Sequence, residues 1–294
     1  MVSRLLHWVW EVRSHHHQLK HFLQDEKQMS RRTLTLIKAS GEILLNGKKS
    51  NVNTRIIVGD QVTVGIPFSN HPEHFSENTE DVHIIFEDEH LIVVNKQPGV
   101  STLPSQGVRG HSLAEAIMHY ARTSDQLFGV HPVNRLDRFT SGIVVFAKHR
   151  YAHDFLMKSF QDKRYVAVVD GQFPYKEKMI SLPIDRNRTS IVERQVTVTG
   201  KPAKTYVKRI EEHALYTVLS VKLYTGRTHQ IRVHLSASGY PIVGDTLYGS
   251  TSNQLNRQAL HAAHYETVHP ITQEQIQFSA PTPKDIVQFL SNNI

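Results

Sequence analysis

Apolar residues recur along this chain with two different periods. Leu19, Phe22 and Leu23 fall at helical spacing, and a second helical stretch follows Ser30, a residue suited to cap it. The next stretch, "EILLNGKKSNVNTRIIVGDQVTV", reads as short strands turned at Asn46-Gly47 and again at Gly59-Asp60. Residues 67–81, "PFSNHPEHFSENTED", are polar, carry prolines and show no period, which marks a linker. From Val82 onward strand-like runs dominate: "VHIIFEDEHLIVVNK", "SGIVVFAK", "RYVAVVDG", "KTYVKRI", "YTVLSVKLY" and "IQFSAP". Two helical stretches interrupt them. "SLAEAIMHYART" puts Leu113, Ala116, Ile117 and Tyr120 on one face with Ser112 and Glu115 placed as a capping box, and "AHDFLMKSFQDK" groups Phe155, Leu156 and Phe160. The strands do not alternate regularly with helices, and no Gly-rich phosphate loop is present. The pattern therefore predicts an α+β fold with a mixed, mainly antiparallel sheet, divided into a small α+β unit over 1–66 that includes an N-terminal extension, a linker over 67–81 and a large domain over 82–294.

Composition narrows the classes of partner. Lysine and arginine total 34 against 27 acidic residues in 294, a net charge of +7, which favours a polyanionic partner. There is no cysteine, which removes disulfides, thiolate metal sites and thiol nucleophiles and suits a cytoplasmic setting. The apolar run in "MVSRLLHWVWEVR" stops at Glu11, too short for the core of a signal peptide, and no uncharged apolar run reaches the roughly 18 residues of a membrane span. Lys20, Lys27, Arg31, Arg32 and Lys38 give the first unit a basic helical surface; taken as an isolated charge run, a plain solvated face is the reading to prefer.

Two clusters carry candidate chemistry. In "HPVNRLDRFTSGIVVFAK" a lone acid, Asp137, sits between Arg135 and Arg138, whose charges favour its ionised form. An ionised carboxylate can act as nucleophile or base; the same tripeptide also suits an Asp capping a surface turn. In "TGRTHQIRVHLSASGYPIVGDTLYG", Arg227, His229 and Arg232 surround a helix that Thr228 could cap and Gly239 would end. Arg227 could hold a carboxylate in bidentate fashion, or be one of two exposed arginines. Histidines are abundant at 20, but the pairs His229/His234 and His261/His264 match no common zinc spacing, so no metal is expected. The chain also lacks G-x-S-x-G and a Walker loop.

Five collinear blocks resemble the RluA-type family of RNA pseudouridine synthases. They are "EDEHLIVVNKQPGVSTLP", "NRLDRFTSGIVVFAK", "KRYVAVVDG", "GRTHQIRVHLSASGYPIVGDTLYG" and "RQALHAAHYETVHP", spanning essentially all of Val82 to Ile294 in the family's order. One position departs: Asn134 stands where the family's block has His before the Arg, so no titratable imidazole acts there. Residues 18–66 resemble, more loosely, the RNA-binding domain of ribosomal protein S-four.

The resemblance implies a central catalytic cleft and cofactor-free isomerisation of specific uridines in structured RNA, large-subunit rRNA ahead of tRNA. In it Asp137 is the catalytic carboxylate, whether it attacks the sugar, attacks the base or abstracts a ribose proton. Arg227 pairs with Asp137. Tyr165 stacks on the uracil and can act as acid or base at its carbon five. Arg135 fills the stack vacated by the flipped nucleotide. Ile231 and Leu235, one helical turn apart, face the site as an apolar wall or belong to the core; Thr140 and His229 are expected beside the RNA. Arg31, Arg32 and Lys38 form the N-terminal RNA-binding face. The expected partner is RNA alone, with a monomer needing no protein partner. Two other readings compete. A non-catalytic RNA-binding or ribosome-assembly factor on a decayed scaffold would have no reason to keep Asp137, Tyr165 and Arg227 together, and a glycoside-type hydrolase would need a second acid, for which Asp245 is the nearest candidate.

Overall fold

A computed structural model defines the fold over residues 5–67, 78–104, 110–126, 128–190 and 192–293. Most of the stretch read as a linker, residues 68–77, lies outside the described residues. The N-terminal unit is an antiparallel sheet of β1 (Leu5–Glu11), β2 (Glu42–Leu45), β3 (Lys48–Lys49) and β4 (Gln61–Pro67), in the order β1-β4-β2-β3. The helix α1 (Leu19–His21), continued by a π-type turn over Phe22–Glu26, and α2 (Arg31–Ser40) complete it. Ser30 caps α2 by accepting a hydrogen bond from the Thr33 amide, and Asn46 and Gly47 turn β2 into β3 with φ of 51° and 75°, as the Asn-Gly pair predicts.

The N-terminal segment is more than an extension. Leu5–Glu11 pairs with β4 over its whole length, because Trp8, Trp10 and Val12 alternate inward while Val9 faces out. Lys27 also differs from expectation: it is buried, pairs with Glu26 at 2.8 Å and lies over the rings of Trp10 and Phe22, so it does not belong to the basic surface.

The second unit runs β5 (Ile84–Glu87), β6 (Leu91–Lys96), α3 (Leu113–Thr123), β7 (His131–Pro132), β8 (Ser141–Ala147), α4 (Arg150–Lys158), β9 (Gln161–Asp170), β10 (Glu177–Ile180), β11 (Ile184–Arg186), β12 (Arg194–Val196), β13 (Thr205–Glu212), β14 (Tyr216–Leu223), α5 (Gln230–Ala237), β15 (Leu260–Val268), β16 (Gln275–Ser279) and α6 (Lys284–Asn292). Its main sheet has the order β10-β13-β14-β9-β15-β8-β6-β5, with β16 added on β15 and β7 on β8. The fold is thus α+β and mainly antiparallel, as the pattern predicts. Ser112 and Glu115 form the expected capping box on α3. The helix α4 stops at Lys158, leaving Phe160 largely exposed, so it does not join Phe155 and Leu156 in the core.

The sheet's centre explains the Thr-Ser-Gly sequence. Strands β8 and β15 pair in parallel at Ser141 and Gly142, the one parallel contact among the described strand pairs. Gly142 has φ of 111°, and a Cβ on it would stand 2.3 Å from the Ala262 carbonyl oxygen. The turn that delivers Asp137 to this strand therefore needs glycine at its exit.

Both faces of β6 and β8 are buried. Ile92, Val94, Val144 and Phe146 face one core with α3, while Leu91, Val93, Ile143 and Val145 face another that includes Trp8, Trp10 and Tyr151. That is why these strands read as unbroken apolar runs. The helix α4 and, packed over it, the N-terminal unit cover the second face. Trp8 stacks on Tyr151 with ring centroids 5.6 Å apart, the Tyr151 hydroxyl donates to the Lys27 carbonyl at 2.8 Å, and Asp154 accepts from Ser30 and Thr33.

Histidines sit in this seam. His149 packs on Trp8 and shares a hydrogen bond with His90 at 3.1 Å, and His269 meets Asp88 at 2.8 Å. Burial holds His149 well below the ordinary imidazole value of 6.5 and lowers His90, while His131 is pushed down to about 4 by burial and then by His153 and Arg150.

Two outcomes follow from this packing. Gly142→Ala should cost at least about 3 kcal/mol in urea unfolding, from a forced backbone angle plus a clash that rigid strands cannot relieve; a cost under about 1 kcal/mol would contradict the geometry. The seam should also be acid-labile. Histidines held neutral in the folded state take up protons on unfolding once pH drops below 6.5, so their stabilisation is complete above 6.5 and is lost as pH falls towards the folded values, about 4 for His131. A thermal melting temperature that stays flat between pH 7 and 4.5 would refute this.

Candidate active site

The loop from Val133 to Thr140 is tied down at nearly every residue. Asn134 donates to the Ile143 carbonyl at 3.0 Å and accepts from the Val145 amide at 2.8 Å, replacing a missing strand neighbour with a carboxamide. Thr102 clamps Leu136 through both its amide and its carbonyl. The Arg138 carbonyl accepts from the Gly99 amide at 2.9 Å and from the Lys96 ammonium at 3.0 Å. Lys96 is almost wholly buried and donates also to the carbonyls of Val100 and Gln97. Burial pulls this amine down to about 7, partly offset by the negative charge of Asp137; the three carbonyls are all served only by the ammonium form.

This scaffold aims Asp137 into a cleft of about 890 Å³. Arg135, Thr140, Tyr165, Arg227, His229 and Ile231 line the same cleft, so distant parts of the sequence converge there. Leu235 does not. It is fully buried and packs in the core on the α3 side of the sheet, behind Ile231. Arg31, Arg32 and Lys38 are exposed on α2 and lie outside the cleft lining.

The ion pairs differ from the sequence expectation. Neither Arg135 nor Arg138 holds Asp137: Arg135 is exposed with no partner among the described residues, and Arg138 donates to the Gly99 carbonyl at 2.8 Å. Arg227 does not hold it either, because its Nε donates to the Pro202 carbonyl at 3.0 Å. Arg232 does, through Nη1 to Oδ2 at 3.2 Å. The other two nitrogens of that guanidinium grip Asp245 at 2.6 and 2.8 Å. Asp245 is therefore a buried anchor for the arginine and lies outside the cleft lining, so it does not stand opposite Asp137 as a second hydrolytic acid would.

A signal for Arg232 was present in "QIRVHL". An arginine surrounded by residues that a helix buries must itself be buried and paired, whereas Arg227 precedes the helix. The helix start also differs: Thr228 does not cap α5, and its place is taken by His229 in a left-handed conformation with φ of 57°. That turn directs the His229 ring to the cleft, with Nε2 3.8 Å from Asp137 Oδ2 and Nδ1 sharing a hydrogen bond with the Tyr248 hydroxyl at 2.8 Å. Burial lowers its pKa, opposed by the charge of Asp137, so the ring is neutral near pH 7.

Tyr165, on β9, is 7 % exposed, and burial together with the nearby Asp137 charge raises its pKa, so the phenol stays protonated. The cleft thus combines one solvent-facing carboxylate, a neutral phenol with a flat ring, and a neutral imidazole. This set can receive a planar uncharged base and act on the bond beside it, and among the described residues lining the cleft no second acid stands opposite the first.

Comparison with known proteins identifies the family. The family model described as RNA pseudouridylate synthase matches residues 90–237, the span that holds Asp137, Tyr165 and Arg232. A Bacillus subtilis protein named as an uncharacterised RNA pseudouridine synthase, YjbO, is 40 % identical over 270 residues, covering 90 % of this chain and 95 % of its own. The ribosomal large subunit pseudouridine synthase D of Escherichia coli is 32 % identical, covering 84 % of this chain and 81 % of its own. Among solved structures, human RNA pseudouridylate synthase domain containing 1 superposes with a TM-score of 0.59 at 26 % identity, over 71 % of this chain and 86 % of its own. The chain belongs to the RNA pseudouridine synthase family.

Proposed function

We propose that this protein isomerises uridine to pseudouridine in structured RNA, with large-subunit rRNA the favoured substrate, and that Asp137 is its catalytic carboxylate. The observation that carries this reading is the ion pair of Asp137 with a guanidinium that is itself locked on Asp245, at the mouth of a cleft shared with Tyr165. The reaction breaks the bond from N1 of uracil to C1′ of the ribose, turns the base and joins C5 to C1′; one hydrogen leaves C5 and N1 ends protonated. Atoms and electrons balance within the nucleotide, so the reading assigns no cofactor.

In this reading Asp137 supplies the negative charge the bond exchange needs, and Arg232 fixes where that charge sits. Tyr165, a neutral phenol, stacks on the uracil. Ile231 forms an apolar wall of the cleft, while Thr140 and His229 contact the nucleotide. Arg135, free at the rim, fills the stack left by the flipped base, and Arg227 contacts the RNA backbone. The N-terminal unit, residues 1–66, serves as the RNA-binding appendage through Arg31, Arg32 and Lys38; its resemblance to the S-four type of domain and its exposed basic helix support this. Residues 82–294 form the catalytic domain, joined to it through residues 67–81. We place the protein in the cytoplasm, acting as a monomer. Relatives named for ribosomal large-subunit modification favour rRNA over tRNA. A decayed, non-catalytic scaffold is disfavoured, since Asp137, Arg232 and Asp245 are still assembled.

Purified protein incubated with unmodified large-subunit rRNA should produce pseudouridine at a defined uridine by chemical mapping. Asp137→Asn should lower the rate on the order of 10⁴-fold or more while salt-sensitive RNA binding persists; full activity in that variant would remove Asp137 from the chemistry. Arg232→Lys, which cannot fork between two carboxylates, should lower kcat about 100-fold with KM little changed, and Arg227→Ala should mainly raise KM. The reverse pattern would restore Arg227 as the partner of Asp137.

A further inference from the structure

A second cavity, of about 730 Å³, lies on the other side of the Asp137 loop. Its wall towards the active site is Phe139, two residues beyond Asp137, together with the Pro98-Gly99 turn that Arg138 clamps. Two residues of chain span at most about 7 Å, a step on the scale of one nucleotide of unstacked RNA.

The lining has a distinct chemistry. Phe139 is 44 % exposed and offers a ring face, with the Arg138 guanidinium 5.4 Å from its centroid. Around it stand the carboxamides of Gln254, Asn256, Gln288 and Asn292, all exposed and none with a side-chain partner among the described residues. Each offers a donor and an acceptor without charge. The charged residues of the lining are spent on each other: Arg257 binds Asp285 in bidentate fashion at 2.6 and 2.9 Å. Among the described lining residues no cation is unpaired for a phosphate and no carboxylate for an amine; the nearest other cation, Arg138, lies against the ring and spends its Nε on the Gly99 carbonyl. An aromatic face ringed by neutral donors and acceptors matches a nucleobase, whose π-face stacks and whose edge carries the same mixture. The wall is also braced, since Arg257 donates to the Phe139 carbonyl at 3.2 Å.

We propose that this cavity is a subsite for an unstacked nucleobase adjacent to the target uridine, making Phe139, Gln288 and Asn292 determinants of sequence context. The inference rests on the RNA-modifying function proposed above. Such a subsite would stabilise the flipped-out state by holding a neighbour out of the stack as well.

The test uses the full chain and fragments of the modified rRNA in which each nucleotide flanking the target is replaced, singly, by an abasic residue. With wild-type protein, one such replacement should lower kcat/KM about tenfold or more, the loss typical of one base-stacking contact. Gln288→Ala combined with Asn292→Ala, and separately Phe139→Leu, should lower kcat/KM on the intact fragment and should lose most of that penalty on the abasic one. Wild-type indifference to every flanking replacement would overturn the subsite, as would penalties that simply multiply in the variants. Absence of pseudouridine with wild-type protein on any fragment would instead overturn the functional reading itself.

Discussion

One guanidinium divides its hydrogen bonds between two carboxylates, and the site depends on that division. Arg232 gives two nitrogens to Asp245, whose side chain is 1 % exposed, and the third to Asp137, which is 26 % exposed. One positive charge thus faces two negative ones. The buried acid is fully satisfied by a planar fork, as burial demands. The surplus negative charge is left on the carboxylate that opens to the cleft. A lysine in place of the arginine could neutralise one acid but could not set the direction of the other.

The rest of the large domain holds the second end of that pair equally still. Asn134 and Thr102 bind the loop to β8 and to the segment after β6, and Lys96 spends its ammonium on main-chain oxygens. Gly142 allows the strand that leaves the loop to lie against β15. Asp137 comes from the entrance to β8 and Arg232 from α5, nearly a hundred residues apart, yet both are fastened to the same sheet. Preorganisation of this kind removes the reorganisation that an unsupported loop would undergo before each turnover.

Much of this was legible in the chain. Strand positions in the large domain, the caps at Ser30 and Ser112 and the Asn46-Gly47 turn follow from local chemistry, which period and turn residues report directly; the convergence of separated motifs on one cleft was implied by the family resemblance alone. Residues Leu5–Glu11 were missed as a strand because their partner lies more than fifty residues away and the alternation is only three residues deep. The choice between Arg227 and Arg232 was missed for a related reason. Charge alone does not separate the two arginines; only the apolar neighbours Ile231, Val233 and Leu235 point to Arg232, and the left-handed residue at His229 that begins the helix has no glycine or asparagine to announce it. Lys96 has no local signal of its role, since nothing in the sequence shows that three carbonyls close around it.

The unbroken apolar strands at the sheet's centre carry a consequence for how such a chain can change over time. Because one face of β6 and β8 is roofed by α4 together with Trp8, Trp10 and the rest of the N-terminal layer, the appendage is also structural cladding. Lineages could alter its outer basic helix freely, but deleting the layer would leave a greasy wall open to water. Any shortened descendant would have to repaint Leu91, Val93, Ile143 and Val145 with polar side chains before it could dispense with its roof.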